Sequence, residues 1–198
     1  MRIITLTFSR PPKLNHVDTV HYEIYMLRHA IDRLAEQKLT ERDAWVYLEA
    51  FLLHYRNLIE FLGKEGPSPT DLHVTTIWQL ANLPVPAKLN EMHAGGKVLW
   101  ARYEPKDIKG GGRISQYLQH CTTKRIDAKD WAVVTMIEEI EPLLEELEKS
   151  LPMPTGILAP VPPVQTLAAF SASTAVVTHT AVAAVASEVP LTKPKDFE

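Results

Sequence analysis

The sequence predicts an all-α fold, a bundle of four or five helices, and three observations predict it. Apolar residues recur in steps of three and four along three long segments, which places them on one stripe of a helix. Strand-like alternation is nearly absent, confined to Arg2–Phe8 and a second stretch at Lys97–Tyr103. Prolines and glycines gather between the periodic segments, where they act as breakers.

Residues 1–16 read as an N-terminal extension, since Ile3, Ile4, Leu6 and Phe8 are interrupted by threonines and then by Arg10-Pro11-Pro12, too short a run for a signal-peptide core. The bundle domain is expected over 17–151. Its first stripe is Val17, Val20, Ile24, Leu27, Ile31 and Leu34, on a helix reaching about Gln37. The second, Trp45, Leu48, Leu52, Tyr55, Ile59 and Leu62, follows Thr40, whose hydroxyl suits an N-cap, and ends near Gly63. From Gly66 to Gly112 the periodicity weakens; a short helix is expected around Asp71–Leu80, with connecting loop elsewhere. The glycines 110–112 then open a short helix from Arg113 to about Lys124, with Ile114, Tyr117, Leu118 and Cys121 facing inward. The last stripe is Val133, Ile137, Ile140, Leu144, Leu147 and Leu151, with Pro142 expected to kink the helix by removing a backbone donor.

After Leu151 the chain changes character. The last 47 residues hold seven of the fifteen prolines and only five charged side chains, so residues 152–198 read as a Pro/Ala/Val-rich disordered tail outside the packed core. The uncharged run Thr166–Ser187 contains His179 and is Ala, Val, Thr and Ser more than Leu or Ile, a poor transmembrane composition, so no membrane partner is expected.

Composition narrows the function. With 45% hydrophobic and 23% charged residues and a formal charge of -3, the 198-residue chain can bury a core but has no global positive field for long nucleic acid. A single cysteine, Cys121, excludes an intramolecular disulfide and fits a cytoplasmic location. The eight histidines lack the paired spacing of a zinc helix, so neither metal nor cofactor is expected. The glycines 110–112 lack the Lys-Ser/Thr ending of a P-loop and read as a hinge.

Two polar constellations remain. His54, Arg56 and Asn57 interrupt an otherwise apolar helix; they are either a core-edge histidine with Arg56 paired to Glu60 one turn on, or a phosphate-binding set in which the guanidinium grips the anion. Arg113 and His120, seven residues apart on one helical face with Lys124 and Arg125 beyond, are either a solvated basic face or a site in which His120 moves a proton and Arg113 stabilises an oxyanion. If the protein acts on RNA, His54, Arg56 and His120 are expected to converge on one cleft.

The phrase Phe51-Leu52-Leu53-His54-Tyr55-Arg56-Asn57-Leu58-Ile59-Glu60-Phe61, with Ile114-Ser115-Gln116-Tyr117-Leu118-Gln119-His120 and Arg125 after it, resembles bacterial helical proteins similar in turn to the HEPN superfamily. Those are nucleotide-binding or RNA-cleaving helical bundles of toxin-antitoxin and phage-defence systems. The resemblance spans about 17–150 and implies a HEPN-like bundle acting as a homodimer. HEPN ribonucleases carry Arg, a polar residue, variable positions and then His on one helix; Arg56-Asn57 matches its start, and Arg113 to His120 matches its spacing with Ile114 at the polar position.

Two functions are therefore expected in competition. One is a non-catalytic helical interaction protein, such as a toxin-antitoxin or phage-defence subunit, that meets a protein partner through its tail. The alternative is a HEPN-like RNA-binding protein or metal-independent ribonuclease, with His120 and Arg113 catalytic and His54, Arg56, Asn57, Lys124 and Arg125 binding RNA or a nucleotide. A small-molecule or metal-dependent bundle enzyme is a third, weaker candidate.

Overall fold

A computed structural model describes residues 15–105, 113–118 and 130–154, and every regular element among them is a helix. In chain order these are α1 (His16–Leu34), α2 (Glu41–Gly63), α3 (Ile77–Leu80), α4 (Leu89–Tyr103), α5 (Ile114–Leu118) and α6 (Val133–Ser150). Four are long, and they form the bundle: α1 packs on α2, α2 on α4, and α4 on α6. Arg28 of α1 closes the ring, its guanidinium bonded to Glu141 at 2.6 Å and Glu148 at 2.8 Å on α6.

Local chemistry sets the ends of α1 and α2. The Asn15 side chain accepts from the Asp18 N–H at 2.8 Å and the Thr40 hydroxyl from the Asp43 N–H at 3.1 Å, so each satisfies a donor the helix itself cannot. Replacing Asn15 or Thr40 by Ala is expected to cost about 1 kcal/mol each. Denaturant unfolding should show a lower midpoint with an unchanged slope.

The three stripes converge on one core. Val17, Val20, Ile24, Leu27 and Ile31 of α1 are buried, as are Leu52, Tyr55, Ile59 and Leu62 of α2 and Ile137, Ile140, Leu144 and Leu147 of α6. Helix α2 is apolar on a second side too, with Phe51, Leu58 and Phe61 buried, because it lies between α1 and α4. Trp45, on the predicted stripe, is 44% exposed. The reason is length: α4 ends at Tyr103, whose ring meets Tyr55 at 5.2 Å, so the first turns of α2 extend past it.

The middle of the chain corrects the sequence reading. Lys97–Tyr103, read as strand-like, is the second half of α4, and the expected helix over Asp71–Leu80 is reduced to Ile77–Leu80. Helix α4 went unseen because Gly95 and Gly96 lie in its middle, and glycine costs a helix interior about 1 kcal/mol against alanine. Tertiary packing explains the pair. A Cβ on Gly63 would stand 2.0 Å from the Gly96 carbonyl carbon, and one on Gly96 2.5 Å from the Leu62 Cβ. The backbones of α2 and α4 therefore touch where any side chain would separate them.

Helix α6 continues as α-helix through Pro142. Arg113 stands just ahead of α5, partly exposed, and Ile114 is fully buried. The strand-like Arg2–Phe8, the glycines 110–112, Cys121, His120, Lys124, Arg125 and the tail from 155 onward lie outside the described residues. No helix among the described residues is long and apolar enough to cross a membrane.

Candidate functional site

Helix α2 carries the polar residues singled out in sequence, and its geometry separates them. Residues two positions apart on an α-helix point about 200° from one another, so His54 and Arg56 face opposite neighbours. Their expected convergence with His120 lies outside the described residues. His54 turns to α1, and Arg56 to α4.

On the α1 side, the His54 Nδ1–H donates to Glu23 Oε2 at 2.8 Å, and the Asn57 amide donates to the same oxygen at 3.1 Å. The spacing of three brings His54 and Asn57 to one carboxylate. Tyr22 meets the imidazole edge-on with ring centres 6.0 Å apart. A carboxylate that fixes a histidine in this way orients the ring and sets its tautomer. At 7% exposure, however, His54 offers almost no surface to a substrate.

On the α4 side, Arg56 pairs with Glu60 at 3.1 Å and with Glu104 at 3.5 Å, and its guanidinium lies 6.0 Å from the centre of the Trp100 ring. Glu104, buried, also accepts the Ser115 backbone N–H and hydroxyl, both at 2.7 Å. One carboxylate thereby joins α2, the end of α4 and the start of α5. Arg56 thus lies between two carboxylates and an aromatic ring, with its buried Nε lacking a hydrogen-bond partner among the described residues.

Among the described residues no three His, Cys, Asp or Glu side chains are placed to hold a metal. Comparison with protein-family models, curated proteins and solved structures finds no match.

A groove of about 270 Å³ opens between α1, α2 and the segment that follows α2, bordered by Thr19, Glu23, Asn57, Glu60, Asp71 and Leu72. Its polar rim is acidic. Lys64 supplies the nearest cation, bonded to Glu60 and 3.5 Å from Asp71. Arg56, 3.1 Å from Glu60, offsets that charge further, and Glu23 is taken up by His54 and Asn57.

The partners Glu23 and Glu104 were not legible in sequence. Glu23 is one of several charged residues off the α1 stripe, and Glu104 precedes a proline at a helix end; nothing in their spacing marks either as the residue that Arg56 or His54 would find. A further pair was also missed, because its members are twenty residues apart: His73, ahead of α3, and His93 of α4 lie edge to face with ring centres 5.1 Å apart.

Proposed function

We propose that the protein is a non-catalytic helical interaction protein, of the kind that serves as a subunit in toxin-antitoxin or phage-defence systems. The observation that carries the reading is the commitment of Arg56, His54 and Asn57 to carboxylates of the protein itself, Glu60 and Glu104 for the first and Glu23 for the other two. A phosphate would have to displace those carboxylates from partly desolvated groups, at the cost of leaving buried charges unpaired.

Exposed apolar side chains on α2 support the reading of a protein partner. Val46 and Leu53 lie two turns apart on one side of α2, 56% and 41% exposed, with Trp45 beside them. A helix of the partner with an apolar stripe would bury these residues.

The test takes purified full-length protein, a fluorescent single-stranded RNA, and the protein encoded next to it. The expected outcome is no RNA binding at about 0.15 M salt, no cleavage with or without chelator, and a complex with the neighbouring product that Val46→Asp with Leu53→Asp abolishes. Cleavage that persists in chelator and disappears in His120→Ala would replace this reading with the metal-independent, HEPN-like ribonuclease.

A further inference from the structure

We propose that His73 is a proton-operated latch: gaining a proton below neutral pH, it releases the segment between α2 and α4 and opens the groove that Asp71 and Leu72 wall. The inference does not depend on the interaction reading above.

His73 is 3% exposed. Its Nδ1 accepts the Thr75 N–H at 3.3 Å and lies 2.7 Å from the Thr75 hydroxyl, which puts the neutral ring's proton on Nε2. That Nε2 is buried and has no hydrogen-bond partner among the described residues. The ring abuts His93, whose Nδ1–H donates to the Leu62 carbonyl at 2.8 Å. Burial pushes the His73 pKa down from its ordinary value, and His93 and Lys97 push it further; the Lys64 backbone opposes them from outside hydrogen-bonding geometry.

The titratable and charged groups on every side are engaged with other partners. From α4 come His93 and Lys97, and Lys97 is paired with Glu65 at 2.9 Å. From the end of α2 come Glu60 and Lys64, and Lys64 takes up Glu60 and Asp71. A second proton on His73 would sit on Nδ1, break the Thr75 N–H bond, and create a buried cation that faces the Thr75 hydroxyl and His93, with no carboxylate bonded to it among the described residues.

His73 is also where the segment is fastened. Its carbonyl accepts the Thr76 and Ile77 N–H groups, both at 3.0 Å, and the neighbouring Val74 N–H donates to Phe61 of α2 at 2.9 Å. The segment is bounded by left-handed backbone, Gly66 at φ 63° and Asn82 at φ 54°, which are natural pivots. It carries Trp78, 1% exposed, into the core.

Because the folded pKa lies below the unfolded one, the neutral segment is fully stable above the unfolded value near 6.5, and stability is lost as pH falls from there toward the folded value. Hydrogen exchange of the full chain between about pH 7.5 and 5.5 tests this. Each amide of 74–83 is referred to α2 amides 51–62 at the same pH, which cancels the intrinsic pH dependence of exchange. The expected result is a relative loss of protection in the wild type that grows as pH falls, and none in His73→Asn, whose side-chain oxygen can still accept the Thr75 N–H. Equal loss in both proteins, or none in the wild type, overturns the proposal. NMR of the wild type gives a second reading independent of any variant: the His73 ring should titrate below an exposed histidine, in step with the Trp78 indole signal. A midpoint at or above about 6.5 also overturns it.

Discussion

Gly96→Ala and Gly63→Ala should each destabilise the protein by at least about 3 kcal/mol, the upper end of what overpacking a close contact costs. In an exposed helix the same change stabilises by about 0.5 to 1 kcal/mol, because alanine loses less backbone entropy. The sign is reversed here by what the new methyl meets: backbone atoms of the partner helix at 2.0 Å from Gly63, and Leu62 at 2.5 Å from Gly96. Backbone cannot rotate out of the way as a side-chain tip can, so α2 and α4 must move apart, loosening His93 on the Leu62 carbonyl and the Tyr55–Tyr103 ring pair. Gly95→Ala is the comparison, since its methyl would meet the end of the Leu143 side chain at 2.8 Å, which can shift. Urea unfolding of the three variants should order Gly95→Ala well above the other two; equal midpoints would show that the helices do not touch at Gly63 and Gly96.

Glu104→Ala is expected to cost about 3 kcal/mol, the low end for removing one partner of a buried ion pair, because Arg56 retains Glu60 and some exposure. The loss has two parts. Ser115 loses the acceptor of both its N–H and its hydroxyl, which detaches the start of α5 from α4, and Arg56 is left with a half-compensated charge beside Trp100. Glu104→Gln keeps an acceptor for Ser115 and removes the charge, so it should fall between the wild type and Glu104→Ala. Combining Glu104→Leu with Arg56→Met removes both charges and should recover part of the stability lost in Glu104→Leu alone, measured by a double-mutant cycle with the two single variants. If Arg56→Ala instead left stability unchanged and impaired RNA binding, the residue would belong to a ligand site and not to this internal network.

The helical stripes of α1, α2 and α6 were readable because each is an amphipathic pattern local to one segment, and local periodicity is what a linear sequence displays. Thr40 as N-cap and Arg56 paired with Glu60 were readable for the same reason, being interactions over three and four residues. Helix α4 was not, since its glycines argue against a helix until the surface of α2 is brought against them.

The candidate site divides along the same line. That His54, Arg56 and Asn57 needed partners followed from their place in an apolar helix. Which partners they took did not, because Glu23 is 31 positions from His54 and Glu104 is 48 from Arg56. Local spacing therefore specified the all-α class, three of the long helices and the faces they bury. Long-range packing alone decided that α2 and α4 meet backbone to backbone at Gly63 and Gly96, that Arg56 and His54 face opposite ways to separate carboxylates, and that His73 lies buried against His93. Each of these contacts depends on the relative placement of two helices, a quantity set by the whole core and written in neither helix by itself.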